Sequence, residues 1–159
     1  MNNECEQFIF RRAEHRDLSA ILKLLFDDEL RKTRESSSEV PEPCYEKAFQ
    51  KIVADPNNAL MIVELDNLII GTCHLTLLPS LTLRGSTRLQ IEAVRIVRTY
   101  RGKGIGGWMF QKIFEYAKEQ EATIIQLTTD KRRAGAKKFY EQLGFEATHE
   151  GMKLTKNLI

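Results

Sequence analysis

Between Arg98 and Phe110 the chain reads RTYRGKGIGGWMF, in which Gly102, Gly104, Gly106 and Gly107 fill four of six positions beside Arg98, Arg101 and Lys103. Residues without a Cβ let main-chain N–H groups approach an anion closely. An apolar stretch with helical spacing comes next. The free N–H groups and dipole at a helix start favour negative charge, and the three cations add charge-assisted contacts. The chemistry that suits this stretch is the cradling of a phosphate or pyrophosphate. Glycines alone also fit a purely structural turn.

Two carboxylates stand where such chemistry would need them. Glu92 lies in LQIEAVRIV, where alternation predicts Glu92, Val94 and Ile96 on one face of a strand. A carboxylate among apolar neighbours on an interior strand is either a working group or a surface acid paired with Arg95 or Arg88. Asp130 comes directly after the apolar run TIIQLTT, and ligands of α/β folds gather beyond the carboxyl ends of strands. It is equally suited to cap the next helix. His74 and His149 are further proton carriers by type, with a packed or solvated role as the alternative. Asp27, Asp28, Glu29, Glu35, Glu39, Glu42 and Glu46 concentrate negative charge in one segment. They read either as a cation site across a cleft from the basic loop or as a solvated surface.

These groups must be positioned by a regular scaffold. Phe8 to Ala13 reads as a strand, and Leu18, Ile21, Leu22, Leu25 and Phe26 form a helical stripe within Asp17 to Leu30. ESSSEVPEP is a loop, and Tyr45 to Ala54 is a short helix ended by DPNN. ALMIVELDNLIIGTCHLTLL is a hairpin turning at Asp66-Asn67. After the loop PSLTLRGS, Thr87 to Val97 is a long strand. Ile105, Trp108, Met109, Ile113, Tyr116 and Ala117 mark a helix. TIIQLTT is a buried strand, Lys131 to Leu143 a helix stopped by Gly144, and FEATHEGMKLT a last strand. The order β-α-α-β-β-β-α-β-α-β predicts one α/β domain over residues 1–159, built on a mixed, mostly antiparallel sheet flanked by helices.

Other readings of the glycines fare worse. GKGIGG matches the dinucleotide pattern G-x-G-x-x-G, but that pattern belongs at the first strand of its fold. Here about a hundred residues precede it and 52 come after Gly107. The G-x-x-x-x-G-K-[ST] phosphate loop is absent. A net charge of +2 is too small to point to nucleic acid. No apolar run approaches membrane-spanning length, and the opening MNNECEQFIF has no basic flank leading into a long apolar region, so no secretory leader is expected. The cysteines, Cys5, Cys44 and Cys73, are odd in number and widely spaced, as reduced thiols of a cytoplasmic protein would be. No His/Cys cluster has metal-ligand spacing, so no metal is expected.

Arg101-Gly102-Lys103-Gly104-Ile105-Gly106 fits [QR]-x-x-G-x-[GA] between a strand and a helix, and AKKFYEQLGF (Ala136 to Phe145) stands one strand later. Together these resemble the two signatures of the GNAT superfamily of N-acetyltransferases, most strongly from Gln90 to Phe145. The stretch TTDKRRAGAKKFYEQLGF is similar to a small-molecule branch that includes the tabtoxin-resistance acetyltransferase. The resemblance implies acetyl-CoA as cosubstrate, held by Ile96, Val97, Arg101, Gly102, Lys103, Gly104, Ile105, Gly106 and Gly107. It implies direct transfer of the acetyl group to a primary amine of a small molecule in a ternary complex. Tyr140 becomes the general acid at the cofactor sulfur, while Glu92 and Asp130 handle the amine. Arg133 departs from the family's pattern, which often has asparagine there in contact with the cofactor. Acetylation of a protein N-terminus or lysine, and a non-catalytic acyl-CoA-binding sensor, stay open on the sequence alone. Homodimers are common in the resembled family; the sequence does not decide for or against one.

Overall fold

A computed structural model describes residues 8–27 and 41–155. The chain runs β1 (Ile9–Arg12), α1 (Leu18–Phe26), α2 (Pro43–Ala54), β2 (Asn58–Leu65), β3 (Leu68–Pro79), a one-turn α3 (Thr82–Gly85), β4 (Thr87–Ile96), α4 (Ile105–Glu119), β5 (Ala122–Leu127) and α5 (Ala134–Gln142). The five strands form one sheet in the order β1-β2-β3-β4-β5. Its first three pairings are antiparallel and β4–β5 is parallel, so the fold is the mixed α/β arrangement expected.

The hairpin turns where expected: Asp66 and Asn67 both have positive φ, as a two-residue turn matched to strand twist requires. Alternation along β2 then sorts side chains to the two faces. Ala59, Met61 and Val63 join Leu75, Leu89, Ile91, Met109, Phe110 and Ile113 in the main core beneath α4. Leu60 points the other way, to Leu18, Leu22 and Phe49 of α1 and α2. Pro43 begins α2, where its missing N–H costs nothing.

One anchor ties the α1 layer to the sheet edge. Arg11 on β1 donates to Asp17 Oδ2 at 2.7 Å and Oδ1 at 3.1 Å, and to Glu64 of β2 at 2.6 Å. Asp17, buried just ahead of α1, also accepts the Glu14 N–H at 2.7 Å. Burial opposes the charge on Asp17, but the hydrogen bonds from Arg11 and Glu14 prevail and hold the carboxyl below its ordinary range.

Two expectations are corrected. The helix expected from Lys131 begins at Ala134, with Arg133 as its N-cap. The final strand expected over Phe145 to Thr155 is not formed; these residues leave α5 as irregular chain. Gly144, at φ 92°, ends α5, and the Thr148 N–H turns back onto the Glu146 carbonyl at 3.0 Å. Met152 and Leu154 are exposed. The alternating pattern permits a strand there, but the segment makes no ladder with β5, and a strand needs that ladder.

Candidate active site

The β4–β5 ladder stops before β4 reaches the glycine loop. The β4–β5 register ends at Ile91 opposite Leu127, while β4 continues to Ile96. β5 ends there, so Glu92 to Ile96 of β4 have no ladder partner from β5 on that edge. Within this stretch Ala93 has φ 51°, and two steps of β3 (Thr72 to His74) face three steps of β4 (Arg95 to Glu92). This is a β-bulge: one extra residue kinks the strand and re-aims the side chains beyond it.

The bulge corrects the expected facing of Glu92. Simple alternation put Glu92, Val94 and Ile96 together. The observed register instead pairs Glu92 with His74 and Arg95 with Thr72, so these four share the α1–α2 face. Val94 and Ile96 fall on the opposite face and pack against the main core. Glu92 is thus an exposed carboxylate on the α1–α2 face, opposite a histidine.

At the end of β4 the Val97 N–H donates to the Ile70 carbonyl at 2.8 Å. Main-chain groups alternate between the two edges of a strand, so those of Ile96 point to the open edge. There the Ile96 carbonyl accepts from Arg101 Nε at 2.8 Å, which ties the glycine loop to the strand. Gly102 and Gly104 have φ of 74° and 81°, a conformation that other L-residues adopt only with strain. Gly104 is the N-cap of α4, whose first helical bond runs from the Trp108 N–H to the Gly104 carbonyl at 3.0 Å. The N–H groups of Ile105, Gly106 and Gly107 precede that bond and have no acceptor within the helix. A Cβ at Gly107 would meet nothing within 4 Å, so this face of the helix start is open. Lys103 Nζ lies 5.4 Å over the Tyr100 ring. Open N–H donors, a helix dipole and a basic rim fit a pyrophosphate.

Tyr140 lies in α5. Its ring packs with Phe110, Phe139 and Phe145 at centroid distances of 5.7, 5.5 and 6.1 Å. Burial raises its phenol above the usual value, against the lowering effect of Arg95 and Arg133, so the hydroxyl keeps its proton at neutral pH. Asp130 is exposed and clamped by Arg132: Oδ1 accepts from Nε at 3.0 Å and from the main-chain N–H at 3.0 Å, and Oδ2 accepts from Nη2 at 2.6 Å. Those bonds hold its carboxyl far below the ordinary range. It caps the Asp130–Arg132 turn rather than α5.

His74 is the group that sequence reasoning undervalued. Its Nε2 lies 2.8 Å from Asn58 Oδ1, which also accepts from Thr76 Oγ1 at 3.0 Å. Counting the hairpin register outward from Asp66-Asn67 sets Asn58 opposite Leu75; the irregularity between Val63 and Glu64 shifts the pairing by one and brings Asn58 opposite Thr76. Of the acidic segment, Asp28, Glu29, Glu35 and Glu39 lie outside the described residues; Glu46 bonds His15 at 2.7 Å. Among the described residues no His, Cys, Asp and Glu cluster could hold a metal ion, and no helix is long and apolar enough to cross a membrane.

Comparison with known proteins gives a consistent picture. A family model described as the acetyltransferase (GNAT) family matches residues 20–145. An uncharacterized N-acetyltransferase of Methanocaldococcus jannaschii is 37% identical over 57 residues, 36% of this chain, and the match spans only 25% of that relative's length. The crystal structure of a protein described as a transcriptional regulator, from Bacillus halodurans, is 41% identical with a TM-score of 0.91, over 94% of this chain and 100% of that one. A predicted acetyltransferase from Clostridium acetobutylicum, crystallised with acetyl-CoA, is 22% identical with a TM-score of 0.72, over 94% of this chain and 96% of that one.

Proposed function

We propose, from the premise that this chain belongs to the GNAT acetyltransferase family, that it transfers an acetyl group from acetyl-CoA to the primary amine of a small cationic molecule. The observation that carries the reading is a coincidence of place. The glycine turn that opens α4 lies against the point where β4 bulges and parts from β5. A pyrophosphate on the N–H groups of Ile105 to Gly107 would lay the pantetheine arm along the open edge of β4, from Val97 back through Ile96. The Ile96 N–H is then the donor for the acetyl carbonyl, where negative charge develops on attack. Arg101, Gly102, Lys103 and Gly104 complete the phosphate side.

In this reading Glu92 receives the acceptor's ammonium on the α1–α2 face, and the amine attacks as the neutral form. The retained proton of Tyr140 suits delivery to the departing thiolate. Asp130, already ionised by Arg132, serves as a fixed negative group at the mouth rather than as a base. An acceptor of a cationic class is favoured by Glu92 and by the acidic stretch around Glu42 and Glu46. The small-molecule branch similar to the tabtoxin-resistance acetyltransferase, and a cytoplasmic setting, belong to the same proposal.

A second reading has one observation in its favour: the 41% identical protein is described as a transcriptional regulator. The chain would then be an acyl-CoA-binding sensor without turnover. Acetyl-CoA-dependent thiol release, measured across a panel of small amines, amino sugars and a lysine peptide, separates the readings. Release with small cationic amines supports the first. Release with the peptide alone moves the acceptor class to proteins. Tight acetyl-CoA binding without release supports the sensor.

A further inference from the structure

The α1–α2 face of the sheet holds a hydrogen-bond chain to which acetyl transfer, with Glu92 and Tyr140 alone, gives no role. Asn58 Nδ2 donates to Asp55 Oδ2 at 2.7 Å. An ionised carboxylate only accepts, so the Asn58 amide must present its NH2 to Asp55 and its carbonyl oxygen to the opposite side. That oxygen faces His74 Nε2 at 2.8 Å and Thr76 Oγ1 at 3.0 Å. A carbonyl oxygen cannot donate, so the ring proton of neutral His74 resides on Nε2. Its lone pair is therefore on Nδ1. Glu92 is the register partner of His74 on β4, and directly opposed residues have Cβ atoms about 4.5–5.5 Å apart on the same face.

We propose that His74 is the terminal proton acceptor on the amine side: the acceptor's ammonium gives its proton to Glu92, and Glu92 passes it to His74 Nδ1. The proposal rests on the acetyltransferase reading. In the step, one N–H bond of the ammonium breaks and an Nδ1–H bond forms. The Nε2–H bond to Asn58 persists throughout, and the imidazolium returns its proton to water after turnover. Asp55 and Asn58 orient the ring and select the tautomer; His74 acts through Glu92 and so is a positioning and relay residue.

The surroundings suit a base that must be empty at neutral pH. Burial lowers the proton affinity of His74 below the ordinary value, and the charge of Glu92 opposes this in part. Among the described residues, the other charged groups of this face and of the helices packed on it include Asp55 behind Asn58, Arg12 of β1, which donates to the Asn58 carbonyl at 3.0 Å, Arg95, paired with Thr72, Arg88 further along β4, the Arg11–Asp17–Glu64 cluster and the His15–Glu46 pair.

The test couples a structural and a kinetic readout. Imidazole nitrogen shifts from NMR of the full chain should identify the Nε2–H tautomer and give the His74 pKa. The acid limb of kcat/KM for the amine should track that pKa. The reciprocal change Asp55→Asn with Asn58→Asp keeps the side-chain pair but sets a carboxylate behind Nε2–H. It should raise the imidazole pKa and the acid limb together by about one unit. His74→Gln should lower kcat/KM for the amine by about 10²-fold with the acetyl-CoA KM unchanged. An Nδ1–H tautomer, an acid limb unmoved by the swap, or a His74→Gln profile like wild type overturns the relay while leaving the enzyme intact. A wild type that releases no thiol with any amine overturns the acetyltransferase reading and the relay with it.

Discussion

Gly106 of α4 lies so close to Phe139 of α5 that an added Cβ would sit 3.2 Å from the Phe139 Cζ. The two motifs read separately in the sequence, RGKGIG and FYEQLGF, thus touch through these residues. The contact sets the distance between the helix that opens at the glycine loop and the helix that carries Tyr140.

The neighbouring glycine provides the contrast. A Cβ at Gly107 meets nothing within 4 Å. Helix propensity alone favours alanine over glycine by about 1 kcal/mol at either position. Gly107→Ala should therefore leave the free protein as stable as wild type or slightly more so, and weaken coenzyme A binding by about tenfold if the cofactor approaches the backbone there. Gly106→Ala requires the Phe139 ring to give by a few tenths of an ångström, which offsets the propensity gain, so this variant should be less stable than Gly107→Ala. Thermal unfolding of the two variants with and without coenzyme A checks this. Equal effects of both on the free protein would remove the packing role of Gly106.

In the proposed mechanism Tyr140 joins packing to chemistry. Its ring belongs to the aromatic cluster of Phe110, Phe139 and Phe145, and its hydroxyl is kept protonated by burial. Tyr140→Phe retains the ring contacts and should keep the melting temperature and acetyl-CoA affinity near wild type. Turnover should fall by about 10²-fold. Single-turnover measurements, in which product release cannot mask chemistry, give the test, and an unchanged rate would reduce Tyr140 to a packing residue.

The glycine loop, the hairpin and the α4 stripe were legible because local chemistry dictates them: positive φ at Gly104, a two-residue turn at Asp66-Asn67, a 3.6-residue period from Ile105. The facing of Glu92 was not. Period-two alternation holds only while the strand is regular, and the extra residue at Ala93 breaks it through pairing with β3, a long-range event. The partnership of Asn58 with His74 likewise spans 16 residues. The missing last strand is the converse case, in which a sound local pattern around Met152 and Leu154 does not pair with the edge strand β5.

Acid stability should expose the Arg11–Asp17 anchor. The folded-state pKa of Asp17 is depressed, so its contribution is present above the unfolded value of about 3.9 and is lost as pH falls through the lower folded value. Asp17→Asn removes the charge partner and should cost about 1–3 kcal/mol at pH 7. The variant should also lose less stability than wild type between about pH 5 and pH 2. Denaturant titrations at both ends give the two differences; parallel losses in both proteins would mean that Asp17 titrates normally in the fold.

Asp130 and Glu92 separate by what holds them. Asp130 is tied by three bonds to Arg132 and is ionised far below neutral pH, so it has no proton to exchange during turnover near neutrality. Glu92 has a histidine opposite and an exposed carboxylate. Asp130→Asn should lower kcat/KM for the amine by a similar factor at every pH between about 6 and 9, because it releases Arg132 and alters the field at the mouth without removing a titrating group. Glu92→Gln should cost most at low pH and recover as the amine in solution loses its own proton, since a neutral acceptor no longer needs the carboxylate to deprotonate it. The discriminating quantity is the ratio of variant to wild-type kcat/KM as a function of pH. A flat ratio for Asp130→Asn and a rising one for Glu92→Gln fit the assignment. A rising ratio for both would make Asp130 a base despite Arg132, and a flat ratio for both would move proton removal to some group other than either carboxylate.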